Sequence, residues 1–275
     1  MKKFNVGLQL YTLRNEMEQD FEGTLKAVKE MGYDFVEFAG FYDKSADEVK
    51  EILDRVGLNA ISVHQGTQLF EETGEKAIEY LAEVGVKYCA IPWFDLENFT
   101  GNWEKSVESF KNYSKALKEK GIQLLYHNHD FEFNKVDGEY IIDRLYTELS
   151  ADEICPEFDT CWVHYAGEDP CKYLEKYSGR VDVLHLKDYT CTNKGGGSVY
   201  ALIDKDGKEE KKASKEENGF QFRPLGMGVQ NFEEILKSAE KAGTEYVIVE
   251  QDQSPDMPPL EAVKISREYL RKLGC

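Results

Sequence analysis

Along the chain, segments with apolar residues three and four positions apart alternate with short runs that are apolar throughout. FEGTLKAVKEM shows the first kind, with Phe21, Leu25, Val28 and Met31 at helical spacing while lysines and glutamates face water. The second kind reads ISVH, QLLYH, VDVLHL and YVIVE. A glycine recurs where each helix gives way to a strand, in KEMGYDFVEF, DRVGLNAISV, AEVGVKYCAI, KEKGIQLLYH and EKAGTEYVIVE. Gly32, Gly57, Gly85, Gly121 and Gly243 suit the left-handed residue that closes a helix. Two more units, ELSADEICPEFD and KYSGRVDVLHLKD, keep the same order.

The pattern predicts strands near residues 4–10, 34–38, 59–64, 87–92, 122–127, 154–158, 182–186 and 246–250. Helices are predicted near 19–31, 45–56, 73–84, 103–120, 138–149, 169–177, 231–242 and 259–273. Strict alternation implies parallel strands with right-handed crossovers, and eight units imply a closed (β/α)8 TIM barrel, one domain over residues 1–275. A doubly wound sheet is disfavoured, because the first turn reads QLYTLRNE and lacks a glycine-rich phosphate loop.

One connection breaks the rhythm. Roughly 40 residues separate His185 from the helix at 231, far beyond an ordinary loop. They predict a lid-like insertion at about 189–222, with a hairpin at Asp206-Gly207, a hinge at 195–197, and Arg223 near the return where it would meet substrate. A tolerated surface insertion is the plainer alternative.

Composition narrows the partners. At 275 residues and 41% hydrophobic, the chain can bury a barrel-sized core. A net charge of −18 argues against nucleic acid, which needs a basic face, and against anionic membrane surfaces. No run of 18 apolar residues and no N-terminal apolar segment occurs, so a cytoplasmic protein is expected. The six cysteines form no CxxC pair, and Cys89 and Cys155 fall in strands, which predicts buried reduced thiols. Association with a second copy or a partner subunit is left open.

The chemistry sits at strand ends. His64, His127 with His129, Asp159, His185 with Lys187, and Glu250 each terminate an apolar run. A buried strand gains nothing from such a terminus, since an unpaired buried charge costs several kcal/mol. Asp159, His185 and Glu250 together make a mixed oxygen and imidazole set suited to a divalent ion: manganese first, with magnesium, cobalt or zinc as alternatives. At least one of His127 and Glu132 is expected to complete it. Alone, each residue has a duller role: Asp159 could cap a turn, and a lone histidine could be structural. His64 and His129 are placed against substrate or behind it, and Trp162 is the candidate to stack on a sugar ring. His164 is expected to lie away from the site. Lys187 suits an enolate oxygen or a base, with an ion pair to Asp188 or Glu157 as the alternative. Cys161 lacks an evident histidine partner and is not read as a nucleophile.

The segments GLQLYTLR, ISVHQG, LLYHNHDFEF, EFDTCW, VLHLKDY and VIVEQD resemble the xylose-isomerase-like barrels, a group that includes sugar isomerases and epimerases, inosose dehydratases and the endonuclease IV fold. The resemblance covers essentially the whole chain. It implies an ion held by a Glu on strand five, an Asp on six, a His on seven and a Glu on eight. Three of these correspond to Asp159, His185 and Glu250, whereas His127 stands where the epimerases place the first Glu, with Glu132 as the nearest carboxylate. The resemblance implies a metal-dependent sugar isomerase or epimerase using Glu250, His127 and Lys187 in proton abstraction next to a carbonyl. A dehydratase or lyase acting on an inosose or 3-keto-glycoside is the close alternative. Phosphodiester cleavage would need more histidines and a basic groove, and a non-catalytic barrel would lack the metal shell.

Overall fold

The computed structural model describes residues 3–192 and 219–275. Its centre is a closed barrel of eight parallel strands: β1 (Asn5–Gln9), β2 (Phe35–Phe38), β3 (Asn59–His64), β4 (Tyr88–Ile91), β5 (Gln123–His127), β6 (Cys155–Asp159), β7 (Val183–Leu186) and β8 (Tyr246–Val249). Each strand pairs with its sequence neighbours, and β1 closes the ring on β8 with Asn5 opposite Tyr246. Among the described residues, eight principal helices cover the outside: α1 (Phe21–Glu30), α2 (Ala46–Val56), α3 (Glu75–Val84), α4 (Trp103–Glu119), α5 (Ile141–Glu148), α6 (Pro170–Lys176), α7 (Phe232–Ala242) and α8 (Pro259–Lys272). The predicted TIM barrel is the fold observed.

Helix ends differ from the periodic pattern where capping residues intervene. The predicted helix at 19–31 starts at Phe21 because Asp20 takes a non-helical conformation and its carboxylate accepts from Gly23 N. The predicted glycine stop is seen at Gly57, which closes α2 with φ 79°.

The barrel interior has a floor and a mouth. The floor is an apolar cluster of Ile61, Tyr88, Ala90, Leu125, Cys155, Val183, Tyr246 and Ile248. Gly7 leaves space for it: a Cβ there would lie 2.5 Å from Ile248 Cδ1. Between β2 and β3 the register slips at Val36/Glu37, so that Ala60 and Ser62 are paired and Ile61 is passed over. This bulge lets Ile61 join the floor while His64, an odd number of residues later, still turns into the mouth.

Beyond β7, Asp188–Thr190 pairs antiparallel with Gln221–Arg223. The Asp188 carboxylate binds this region together by accepting from the backbone N–H groups of Tyr189, Gly226 and Gly228 at 2.9–3.0 Å. Gly228 has to be glycine for this, since a Cβ would come within 2.1 Å of Asp188 Oδ1. The predicted turn at Asp206-Gly207 and the hinge at 195–197 lie outside the described residues. Cys89 and Cys155 are buried and unbonded to another cysteine. Among the described residues no helix is long and apolar enough to cross a membrane.

Candidate metal centre

Two residues above the floor, the inward positions of the same strands become polar. Leu125 is followed on the same face by His127, Cys155 by Glu157 and Asp159, Val183 by His185 and Lys187, and Ile248 by Glu250. Phe35 is likewise followed by Glu37. Glu37, Glu157, Asp159 and His185 are wholly buried, and His127, Lys187 and Glu250 nearly so.

Two sets of donors converge here: His127, Asp159, His185 and Glu250 in one, and His64, His127, Glu157 and His185 in the other, each with ligand atoms within 4.8 Å of one another. In the first set His185 Nδ1 lies 3.0 Å from Glu250 Oε2, and His127 Nε2 lies 3.7 Å from Asp159 Oδ2. Lys187 Nζ sits between the two carboxylates, 2.8 Å from Asp159 Oδ2 and 2.8 Å from Glu250 Oε2, and 3.1 Å from Asp252 Oδ1. These are its partners in place of the Asp188 or Glu157 pairing considered from sequence. Asp159 serves twice: Oδ1 accepts from Cys161 N and caps the helix Thr160–Tyr165, while Oδ2 faces the centre.

The residues fit a divalent ion. Two carboxylates and two imidazoles suit a hard-to-borderline cation, and Glu37 Oε2 and Glu157 Oε1 are buried without a hydrogen-bond partner. Burial opposes ionisation of Glu250, but Lys187 and His185 outweigh it and hold the carboxyl well below the ordinary range. Asp159 is raised to about 6 by burial, against the pull of Lys187. Burial, reinforced by His185 and His64, pushes His127 down, which keeps it neutral as a ligand must be. Burial disfavours charge on His64, yet Glu37 and Glu157 raise it to about 10. Carboxylates so placed gather positive charge, as protons or as a cation.

The expected fourth carboxylate is elsewhere. Glu132 accepts from Tyr126 Oη at 2.6 Å and from His129 N at 2.8 Å. Tyr126 adjoins His127 on β5 and so faces out of the barrel, among Phe99 and Phe110. Its hydroxyl therefore holds Glu132 behind the strand, and His127 is the residue that β5 presents to the centre. Burial raises Glu132 to about 8.

Of the expected substrate contacts, His64 points between Glu157 and Glu37, at 2.8 and 3.1 Å. His129 sits among rings, 5.0 Å from Trp93 and 5.6 Å from Trp162. Trp162 is not an open platform: it is 1% exposed, stacked on Phe220, with Lys187 Nζ 5.4 Å from its ring centre. The open indole is Trp93, 40% exposed. Arg223 pairs with Asp256 at 2.6 Å, in a cleft beside Phe222 and Gln251 rather than in the acid and histidine group. His164 bonds Tyr189 Oη, away from the centre. The sequence points to Glu157 only as a charge partner for Lys187 and gives no sign of Glu37, Gln9 or Trp93; Gln9 donates to Glu37 Oε1 at 2.7 Å.

Known proteins share this barrel. An inosose dehydratase of Lacticaseibacillus casei is 24% identical over 277 residues, covering 92% of this chain and 89% of that protein. A sugar phosphate isomerase/epimerase from Parabacteroides distasonis superposes with a TM-score of 0.77 at 24% identity, over 98% of each chain. An IOLI protein with a binding zinc atom superposes at 0.70 with 15% identity, over 98% of this chain and 97% of its own. At these identities the two superpositions speak for the fold. The model of the xylose isomerase-like TIM barrel matches residues 25–273, and the chain belongs to that family.

Proposed function

We propose that this barrel removes the proton next to the carbonyl of a keto-sugar or keto-cyclitol and expels a substituent from the adjoining carbon, as a dehydratase or lyase. The observation that carries this reading is a one-sided acid–base set: β5 offers His127 where a second glutamate would stand, and Glu132 is tied behind the strand. A divalent ion held by His127, Asp159, His185 and Glu250 would polarise the carbonyl and its neighbouring hydroxyl. Glu250, ionised beside Lys187, takes the proton from carbon. The electron pair left behind forms the new double bond as the carbon–oxygen bond breaks, and Glu250 returns its proton to the departing oxygen. Lys187 stays charged throughout and stabilises the developing enolate. Trp93, exposed beside His129, offers the ring face that sequence had assigned to Trp162. The inosose dehydratase relatives, aligned over nearly the whole chain, support the same reading.

A second reading, isomerase or epimerase, gains from Glu157, another buried carboxylate, 3.2 Å from His127 Nδ1 and with Oε1 unpartnered. Incubation with keto-sugars and inososes in D2O with Mn2+, followed by NMR, separates the two. Elimination gives an unsaturated product lacking the substituent. The second reading gives deuterated substrate or epimer with every oxygen retained. Absence of both across the panel would reject proton abstraction altogether.

A further inference from the structure

Two groups of donors meet at His185. Its Nδ1 faces Glu250, and its Nε2 turns the other way, 2.7 Å from Glu37 Oε1 and 3.4 Å from Glu157 Oε2. His64 completes the figure, with Nε2 2.8 Å from Glu157 Oε2 and 3.1 Å from Glu37 Oε1. Nitrogen and oxygen alternate around this ring, and its four members come from β2, β3, β6 and β7.

Hydrogen bonding accounts for two of the four edges, His64 to Glu157 and His185 to Glu37, and leaves the other two over. An imidazole nitrogen carries at most one proton, so each Nε2 can donate to one carboxylate oxygen, yet each faces two. The ring oxygen of Glu37 already accepts from Gln9 Nε2 at 2.7 Å, and that of Glu157 lies 3.2 Å from His127 Nδ1. The other oxygens of both carboxylates, Glu37 Oε2 and Glu157 Oε1, are buried with no hydrogen-bond partner. A cation bonded to nitrogen and oxygen at about 2.0–2.2 Å in a tetrahedron sets its ligands about 3.4 Å apart. The observed edges of 2.7–3.4 Å are that figure drawn slightly inward.

Charge points the same way. With neutral imidazoles, Glu37 and Glu157 bring two negative charges to the ring they share with His64 and His185. Those two charges equal one divalent ion.

We propose that Glu37, His64, Glu157 and the Nε2 of His185 form a second divalent-cation site, deeper than the first and joined to it through the His185 ring. Four protein donors fill it, so it is a closed site that takes zinc, cobalt or manganese and fixes both imidazoles. Gln9 steadies Glu37 from outside the shell. When both positions are filled, the His185 ring is bound through both nitrogens, and the single proton of its neutral form passes to solvent. Nothing here depends on which reaction the barrel performs.

The full chain, stripped with chelator, reloaded with Zn2+ and desalted, should hold two zinc ions per chain by elemental analysis. Crystals of it should show an anomalous peak between Glu37, His64, Glu157 and His185, apart from one beside Asp159 and Glu250. Glu37→Gln should lose the deeper ion and keep the other, and Asp159→Asn should do the reverse. Should those variants fail to fold, the wild-type map decides alone. A single ion per chain beside Asp159 and Glu250, with no anomalous density in the deeper ring, would overturn the site, whether or not turnover is ever found.

Discussion

The barrel lumen is built by one set of strands and divided into two halves of opposite character. The lower half is dry and apolar, and the two polar tips that border it lead outward, Tyr88 Oη to Asp182 and Tyr246 Oη to Lys87. The upper half, two residues further along the same strands, packs carboxylates, imidazoles and an ammonium at equal burial. Burial alone therefore does not distinguish structural from chemical positions here; partnering does. Inside the lumen the floor side chains meet carbon, whereas the mouth brings several buried carboxylates close together. The floor supplies the rigidity that lets the mouth hold like charges together.

The sharpest way to break this division is to move a charge downward. Leu125→Asp places a carboxylate two residues below His127, where Val183, Ile248 and Cys155 offer no donor. Several kcal/mol of unpaired burial against a total stability of about 5–15 kcal/mol should leave the chain unfolded or insoluble. Circular dichroism showing a cooperative transition near the wild-type Tm would contradict the contrast.

The mouth should respond in function rather than fold. Glu250→Gln keeps its shape, and Lys187 retains Asp159 and Asp252, so the protein should remain folded. Turnover on whichever keto-sugar or inosose proves active should fall by about 10² or more. A variant with near-normal rates would remove Glu250 from proton transfer.

The smallest effect lies just outside the lumen and carries a sign. Burial raises Glu132 to about 8, above its unfolded value, so its stabilising contribution is complete in mild acid and is lost as pH rises towards 8. Glu132→Gln can still pair with Tyr126 and His129 without that titration. The variant should match wild type near pH 4.5 and exceed its Tm by several degrees at pH 8.5, at about 2–4 °C per kcal/mol for a chain of this size. Equal melting curves at both pH values would place the charged carboxylate in the native state.

Sequence periodicity revealed the eight strands because short, mostly apolar runs alternate with amphipathic helices, and Asp159, His185 and Glu250 because each lies at the end of such a run. Glu37 escaped notice because FVEF reads as an ordinary alternation, with the acid on a solvent face. Glu157 reads from sequence only as a charge partner for Lys187, because Asp159 marks the end of CPEFD. Glu132 was drawn to the centre by its nearness in sequence to His127, but the turn Phe131–Phe133 and the outward Tyr126 hydroxyl carry it behind the strand. Trp93 follows Pro92 in an aperiodic stretch, where spacing says nothing about exposure. The bulge that sends Ile61 down and His64 inward has no signature in composition at all.

The antiparallel pairing of Asp188–Thr190 with Gln221–Arg223 has a consequence for the evolution of this barrel. It brings the chain back beside its point of departure before α7 begins, and the Asp188 carboxylate fastens the return. Thr192 and Gly219, the described residues on either side of 193–218, thus lie side by side. As a general matter, doubling the length of a loop whose ends are held together adds only about 0.6 kcal/mol of chain entropy. The position is a natural graft point, where a segment of different length or an entire small domain can be exchanged above an unchanged barrel, giving a new surface without refounding the fold.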